Sequence, residues 1–365
     1  MPFCSQQDNP PTLLLVYFSL LCSHCVPKLK IGIVLDGTTP ANKLADLARL
    51  AEQNGIEYLW LSAGSRTKDH FVRLAAAASS TSKIRLGAIA TSPFEMHPAI
   101  IGSTLLTLDE ASAGRACIVL GGGGDLASTL GVPLQNRVQA VEDTIMIIRR
   151  LAEGGEVNYA GNKFRVEGLF SPWNRAKVPP ILVGANRPRM LELAARKADG
   201  VMFSDMPEEY VAKLVGTVKS LLTRLGRSRE DFQISNWFAW NIQDTLEEAK
   251  RLARSSLAFR LYYIQDVADH IGLAREQAME LRRKQPDMVK ALLRGNPEQL
   301  PEALSDHLID RLTITADTKS VDRCVERLHL FEKQGLTQIA LSLQGDPAKS
   351  IRNVGQKVVP AFRET

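Results

Sequence analysis

The feature that most constrains the fold is a regular alternation of short apolar segments and amphipathic helices from Lys30 onward. Buried parallel strands are apolar on both faces, and a helix after each strand returns the chain to begin the next one. Strand-like segments begin near residues 31, 57, 84, 116, 181, 200, 232 and 337. Eight such units predict an α/β fold, a (β/α)8 TIM barrel with insertions. The alternative, a doubly wound open sheet, is disfavoured because no GxGxxG opens a helix after the first strand.

Three stretches depart from this alternation. Residues 153–180 read as a small hairpin excursion, and residues 249–310 are charged and helical, as an inserted segment would be. Residues 1–28 are predicted to be a disordered extension of a barrel that occupies residues 29–365. The apolar run Leu13–Cys22 is too short to span a bilayer, which needs ~20 residues. A secretory role is the alternative, but the extension lacks a basic start and a small-residue cleavage site.

The charge and cysteine content exclude several classes of function. The chain has 45 Lys and Arg against 40 Asp and Glu, a net charge of +5 without a basic block, so no nucleic-acid partner is expected. A mildly anionic ligand and a small-molecule substrate are compatible with this balance. The five cysteines form no recurrent pattern, which favours a reducing, cytoplasmic location without membrane attachment. Cys22 and Cys25 have CxxC spacing, but with too few neighbouring ligands to predict a metal site.

In a barrel of this type the active site lies at the carboxyl ends of the strands. We therefore collected the polar and small residues that follow each predicted strand. They are Asp36, Ser62, Thr91, Ser92, Gly121 to Asp125, Gly184 to Asn186, Ser204 and Asn241. The set contains no pair of carboxylates, no histidine-rich metal set and no Ser/His/Asp group. This pattern favours a bound cofactor that carries the chemistry while the protein positions it.

Two of these loops are built from small residues. The run Gly121-Gly122-Gly123-Gly124 would let the backbone approach a ligand closely, although a glycine run is also typical of a plain flexible turn. The segment Gly184-Ala185-Asn186 precedes a helix that Pro188 can start, and free amides at a helix start favour a phosphate. The alternative for this second loop is an ordinary strand-to-helix turn.

Three segments resemble a known family. They are LGAIATSPFEMHPAIIGSTLLTLDEASAGRACIVLGGGGD, VPPILVGANRPRMLELAARKADGV and TADTKSVDRCVERLHLFEKQGLTQIALS. They are similar to the bacterial-luciferase-like flavin and deazaflavin oxidoreductases, and most similar to the methylenetetrahydromethanopterin reductase type. The resemblance runs from about Ile31 to the C-terminus.

The resemblance implies a homodimeric barrel that holds coenzyme F420, or alternatively FMN, at the strand ends. It implies a non-prolyl cis peptide between Ile89 and Ala90 that presses on the central ring of the cofactor, and backbone amides after the fifth strand that hold its phosphate. The implied cofactor-binding residues are Ser62, Ile89, Ala90, Thr91, Gly121, Gly122, Gly123, Gly124, Gly184, Ala185 and Asn186.

The sequence also departs from this family. An Asp-His pair commonly follows the second strand of the deazaflavin enzymes, whereas here Ser62 is followed by Ala63 and Gly64. The glutamate of the reductase branch falls at the register of Val34. Asp36, two residues further and on the same side of the strand, is therefore the candidate catalytic residue.

Six other residues near the predicted mouth have simpler interpretations. Asp69 and His70 start the second helix and could approach the mouth, but a solvated helix end is the favoured interpretation. His97 is interpreted as a helix-start residue. Trp237 and Trp240 either line the pocket or pack in the core, as does Trp173.

The leading functional hypothesis is an F420-dependent oxidoreductase that transfers a hydride between the reduced deazaflavin and a small or pterin-like substrate. An FMN-dependent, luciferase-like monooxygenase is the second hypothesis. A non-catalytic barrel of the same fold is the third, because the family's acidic and imidazole groups are missing.

Overall fold

A computed structural model describes residues 28–64, 67–174, 177–297 and 300–363, and the contacts of the fold and the site are those among these residues. The side chain of Asp125 is not described. Except for Lys28, the predicted extension lies outside the described residues. The Cys22–Cys25 pair lies outside them as well. Cys117 and Cys324, the two described cysteines, are both unpaired and buried.

Eleven strands are described, and nine of them form one sheet. The strands are β1 (Lys30–Leu35), β2 (Tyr58–Ser62), β3 (Arg85–Thr91), β4 (Ala116–Leu120), β5 (Gly155–Ala160), β6 (Arg165–Ser171), β7 (Ile181–Gly184), β8 (Gly200–Ser204), β9 (Gln233–Gln243), β10 (Thr313–Asp317) and β11 (Gln338–Leu343). The strand order β1-β2-β3-β4-β7-β8-β9-β11 closes because β11 pairs in parallel with β1. These eight parallel strands are the eight of the prediction, so the (β/α)8 barrel is confirmed.

Helices follow the barrel strands and cover the outside of the sheet. They are α1 (Ala41–Gln53), α2 (His70–Ala78), α3 (Pro98–Ala111), α4 (Asp125–Thr129), α5 (Arg137–Glu153), α6 (Pro188–Lys197), α7 (Glu208–Arg224), α8 (Leu246–Arg260), α9 (Ile264–Val267), α10 (Arg275–Leu293), α11 (Glu302–Leu312), α12 (Val321–Lys333), α13 (Pro347–Asn353) and α14 (Val359–Ala361). None of the described helices is both long enough and apolar enough to cross a membrane.

The ninth strand of the sheet, β10, was not expected from the sequence. It pairs with residues 239–243 of β9, beyond the stretch 233–237 that pairs with β8. The strand β9 is eleven residues long and rises above its neighbours, which leaves an edge that β10 covers. β10 directly follows α11, so the chain re-enters the sheet before α12.

The interior of the barrel is filled by side chains that alternate with those facing the helices. This lumen cluster is separate from the large core between sheet and helices, and comprises Val34, Tyr58, Trp60, Ile89, Cys117, Val119, Leu182, Met202 and Ala340. The indole of Trp60 is fully buried and lies against Gly87, its register partner on β3. The barrel is therefore closed below its carboxyl end, and any ligand must sit above this floor.

Two excursions extend from the barrel. β5 and β6 form an antiparallel hairpin whose turn is held by the carboxylate of Asp143, which accepts hydrogen bonds from the backbone N–H groups of Lys163 and Phe164 at 2.7 and 2.9 Å. The second excursion is the helical stretch α8–α11, which lies between β9 and β10 in the chain. It also encloses a cavity of about 510 Å³ between α8, α10 and α11, away from the strand ends.

Candidate active site at the barrel mouth

The carboxyl ends of the barrel strands form a rim of very small side chains. Strand alternation, or at the β3 bulge the contact of Ala90 with the lumen cluster, places a residue of each strand above that cluster, and six of these residues carry at most a hydroxymethyl group. They are Ser62, Ala90, Gly121, Gly184, Ser204 and Ser342. All six are partly exposed or at the border of burial, so this rim is open above a closed floor. Such a shallow, small-residue seat fits a planar ring system.

The segment Ile89–Thr91 forms one side of this rim. The peptide bond between Ile89 and Ala90 is cis, at the position that the family resemblance implied, and the register of β3 against β4 shifts there. The Ile89 carbonyl accepts a hydrogen bond from the N–H of Ala63 at 2.8 Å. The Thr91 carbonyl accepts one from the N–H of Gly121 at 2.9 Å. This bulge is thus fixed by the ends of both neighbouring strands.

His70 is not the solvated helix end that the sequence suggested. Its imidazole is 8% exposed, and its Nε2 is hydrogen bonded to Oγ1 of the buried Thr91 at 3.1 Å. Burial lowers the pKa of His70, and the nearby Arg73 lowers it further against the opposing effect of Asp69. The solvated interpretation is correct for Asp69, which is exposed and caps α2 by accepting a hydrogen bond from the N–H of Val72. His70 is neutral at neutral pH and faces the bulge.

Asp36, the candidate catalytic residue, lies one position beyond β1 and is exposed. Its Oδ1 accepts hydrogen bonds from both the backbone N–H and the hydroxyl of Thr38, the latter at 2.7 Å. Its carbonyl oxygen accepts a hydrogen bond at 2.7 Å from the guanidinium of Arg73, which is 2% exposed. Much of the hydrogen-bonding capacity of the Asp36 carboxylate is therefore used to shape its own turn.

The glycine run after β4 is a packed loop with specific spatial limits. A Cβ atom on Gly121 would lie 3.0 Å from the Cβ of Ala90, and one on Gly122 would lie 3.3 Å from atoms of Arg137 and Met190. Gly123 has a φ of +85°, which side-chain-bearing residues rarely adopt. The alternative of a plain flexible turn does not explain this packing. The run brings backbone close to the rim, as a ligand-lining loop requires.

The loop after β7 supplies only part of the predicted phosphate cradle. The N–H of Ala185 donates to the carbonyl of Met202 at 3.0 Å, so this amide already has a partner in the sheet. The side chain of Asn186 is also occupied, because its Oδ1 and Nδ2 bond the N–H and carbonyl of Ser204 at 3.1 and 3.2 Å. The backbone N–H groups of Asn186 and Arg187 have no acceptor within the described residues. They lie at the start of α6, where an anion is favoured.

Two arginines add positive charge near this cradle. Arg187 precedes α6, lies with its guanidinium 5.6 Å from the ring centroid of Tyr263 and pairs with Asp266 at 3.1 Å. Arg137 begins α5 and packs against Gly122. Burial raises the pKa of Tyr263 to about 12, opposed by the charges of both arginines. Arg187 lies next to the free amides with its charge partly offset by Asp266, and Arg137 adds a second cation whose charge also reaches Tyr263.

A buried carboxyl group lies directly after β8. Asp205 has a φ of +53°, and its N–H donates to the carbonyl of Trp237 at 2.8 Å. Its Oδ1 lies 3.4 Å from Nε of Arg260, and neither atom has a hydrogen-bond partner. Burial raises the pKa of Asp205, opposed by the charge of Arg260. Non-glycine residues in left-handed backbone occur often at functional sites, so Asp205 is a stronger candidate than Asp36 for an acidic group at the mouth.

The three tryptophans and His97, which the sequence also singled out, lie in different parts of the molecule. Trp237 packs on the lumen cluster at the rim, whereas Trp240 is fully buried in the outer core and Trp173 packs with the hairpin. His97 is the N-cap of α3, as predicted, with its Nδ1 accepting from the N–H of Ala99 at 3.2 Å.

Three groups at the mouth were missed by the sequence reasoning. Asp205 follows Ser204 directly, so extending the strand-end set by one residue would have included it. Arg73 is the only charged residue within α2, three residues after His70 and therefore on the same face. No sequence signal connects Arg260 to Asp205.

The barrel and its mouth define a class of protein. The chain belongs to the luciferase-like monooxygenase family, whose profile matches residues 24–338. It is 27% identical to the 5,10-methylenetetrahydromethanopterin reductase of Archaeoglobus fulgidus, over 92% of this chain and 100% of that protein. It is 25% identical to an F420-dependent glucose-6-phosphate dehydrogenase of Microbacterium testaceum, over 88% of this chain and 94% of that protein.

A solved structure supports the same family assignment. The coenzyme F420-dependent tetrahydromethanopterin reductase of Methanopyrus kandleri superimposes with a TM-score of 0.78 at 26% identity, covering 92% of this chain and 100% of that one.

Proposed function

We infer that this protein is a coenzyme F420-dependent oxidoreductase that transfers a hydride between the reduced deazaflavin and a small or pterin-like substrate. The names of the two relatives given above and of the similar solved structure include F420 or a methanopterin. The observation that carries the proposal is the rim of six small residues above a floor closed by Trp60. Six small side chains at the strand ends leave room for a flat ring with its reactive face toward the opening.

The residues present fit this cofactor. The bulge Ile89–Thr91 and Gly121 would support the ring, and the free amides of Asn186 and Arg187, with Arg137 beside them, would hold the phosphate. The bound deazaflavin supplies the hydride chemistry. The protein holds the ring in one orientation, excludes water from its buried face and places the substrate above it. The described chain needs no carboxylate dyad for this task.

An FMN-dependent monooxygenase is the second candidate, because the family is described as luciferase-like monooxygenases. The two cofactors share a tricyclic ring and a phosphate, and the same rim would accept either. A non-catalytic barrel is the third candidate, because Asp36 is engaged by Thr38.

Anaerobic titration of the purified protein with oxidised F420 and with FMN separates these candidates. We expect saturable F420 binding in the micromolar range, about −8 kcal/mol, and FMN binding at least about tenfold weaker. Turnover of reduced F420 with methylenetetrahydromethanopterin, followed by deazaflavin absorbance, is the functional measurement. Tighter binding of FMN together with oxygen consumption would support the monooxygenase instead. Binding of neither cofactor would leave the non-catalytic barrel.

We also propose that the protein is a homodimer formed through α2 and α3. The outward face of these two helices carries small or apolar residues, with Val72 and Ile100 at 67% and 54% exposure, and one charged side chain, Glu110, near the end of α3. A mostly uncharged face of this kind is typical of protein interfaces. The two unpaired described thiols are compatible with the cytoplasmic location that the sequence favours.

Static light scattering tests the dimer. We expect the wild-type protein to have twice the mass of one chain, and Val72→Arg/Ile100→Arg to have the mass of a single chain because two charges cannot be buried unpaired. Leu330→Arg, which changes a 46%-exposed residue on α12, is the control and should stay dimeric. A dimer that survives the double substitution would place the interface elsewhere.

A further inference from the structure

Helix α2 reaches the mouth through two buried side chains at its start. His70 bonds the side chain of Thr91, and Arg73, one turn later, bonds the carbonyl of Asp36. The two contacts fasten the carboxyl ends of β3 and β1 to the same helix. Both residues are more than nine-tenths buried, so they are shielded from competition by water.

We propose that His70 is a positioning residue for the cofactor ring, acting through Thr91. This inference rests on the proposed function for its ligand. The bulge Ile89–Thr91 receives two backbone hydrogen bonds, from Ala63 and Gly121, and its one side-chain hydrogen bond comes from His70. The backbone bonds fix the Ile89 and Thr91 carbonyls, whereas the imidazole fixes the Thr91 side chain. Without the imidazole, the buried Thr91 hydroxyl loses its hydrogen-bond partner, and the bulge can shift relative to the other strand ends of the rim.

Electrostatics around His70 support a neutral, fixed imidazole. Asp69 precedes it and points to solvent as the cap of α2, and Arg73 follows on the same helical face. Burial of the imidazole and the nearby Arg73 cation both disfavour an imidazolium ion. A neutral ring has one donor and one acceptor nitrogen, and either can bond the Thr91 hydroxyl, which is both donor and acceptor. The contact therefore persists at neutral pH.

The test compares His70→Leu, which removes the hydrogen bond, with His70→Gln, whose amide reaches about as far as Nε2. We expect His70→Leu to raise the dissociation constant for F420 about tenfold and to leave the KM for the organic substrate unchanged. We expect His70→Gln to stay within about threefold of the wild type. His97→Leu, which removes a histidine from the start of the next helix, should not change F420 affinity.

Thr91→Val provides a second route if His70→Leu does not fold. It should weaken F420 binding by the same factor, and the double variant should be no weaker than either single one, because both remove the same contact. Equal affinity of His70→Leu and the wild type, or additive losses in the double variant, would overturn the inference.

Hydrogen exchange of the Gly121 amide separates this inference from the proposed function. That amide bonds the Thr91 carbonyl and reports the position of the bulge without any cofactor. We expect about tenfold faster exchange in His70→Leu at unchanged global stability. If the wild type binds neither F420 nor FMN, the proposed function fails, and the exchange rate still decides the role of His70. Unchanged exchange would refute it.

Discussion

Gly121→Val is expected to weaken binding of F420 about 100-fold while the barrel still folds. The Cβ of a side chain at this position would lie 3.0 Å from the Cβ of Ala90, at the edge of the rim where the ring is proposed to sit. The two further methyl groups of valine must then extend into the ring's space. A 100-fold loss corresponds to about 2.7 kcal/mol, which is within the usual cost of overpacking a close-packed site. Fluorescence titration with F420 is the measurement.

Folding should be preserved because Gly121 is half-buried and has no positive φ. Gly124→Ala, three residues along the same loop, is the matched control: its side chain would meet no atom within 4 Å. We expect Gly124→Ala to bind F420 within about twofold of the wild type. Wild-type affinity in Gly121→Val would mean that the ring does not rest on this side of the mouth.

The eight barrel strands could be predicted from the sequence because each is a short, mostly apolar segment, and such segments alternating with helices are typical of strands covered on both faces. β10 could not. Its sequence, TITAD, alternates apolar and polar residues and directly follows a helix without a turn signal. It exists because β9 extends beyond its neighbours and offers an unpaired edge, a property of the assembled sheet.

The site was predictable where it consists of backbone and small residues. The glycine run after β4 and the small residues Gly184 and Ala185 at the end of β7 indicate close approach of the backbone, and both loops lie at the mouth. Side-chain contacts between distant residues were not predictable. His70 and Thr91 are 21 residues apart, and a histidine at a helix start gives no sign of whether it faces solvent or a strand end. The hydrogen bond from the Ala185 amide was equally unpredictable, because its acceptor, Met202, belongs to the next strand.

A mouth with so few polar groups can still form an active site, because its shape is set by the residues that support it. Apart from Trp237, the rim has few large side chains, so its shape depends on what lies below it and beside it. Below it, Trp60 sets the height of the floor, and beside it, His70 and Gly121 set the bulge. Each of these depends on one glycine or one hydrogen bond. Substitutions that leave the rim unchanged but alter its supports should therefore act on the site from a distance.

The largest effect on stability is expected for Gly87→Ala. An added methyl would lie 2.1 Å from Cε3 of Trp60, whose ring is fully buried between β-strands and cannot move aside. We expect a loss of about 3 kcal/mol in the free energy of unfolding. Gly184→Ala is the matched control, with the same change in the same lumen. Its methyl would make ordinary contacts of 3.5 Å with Val119 and 3.7 Å with the carbonyl of Leu120.

Equilibrium urea unfolding, followed by circular dichroism, measures both variants. Gly184→Ala should stay within about 1 kcal/mol of the wild type. Trp60→Phe should reduce the cost of Gly87→Ala, because the smaller ring leaves room for the methyl, so the two substitutions should be non-additive. Equal stability of the two alanine variants would contradict the packing of Trp60 on Gly87. The floor of the mouth would then lie elsewhere, and the proposed position of the cofactor ring above it would change as well.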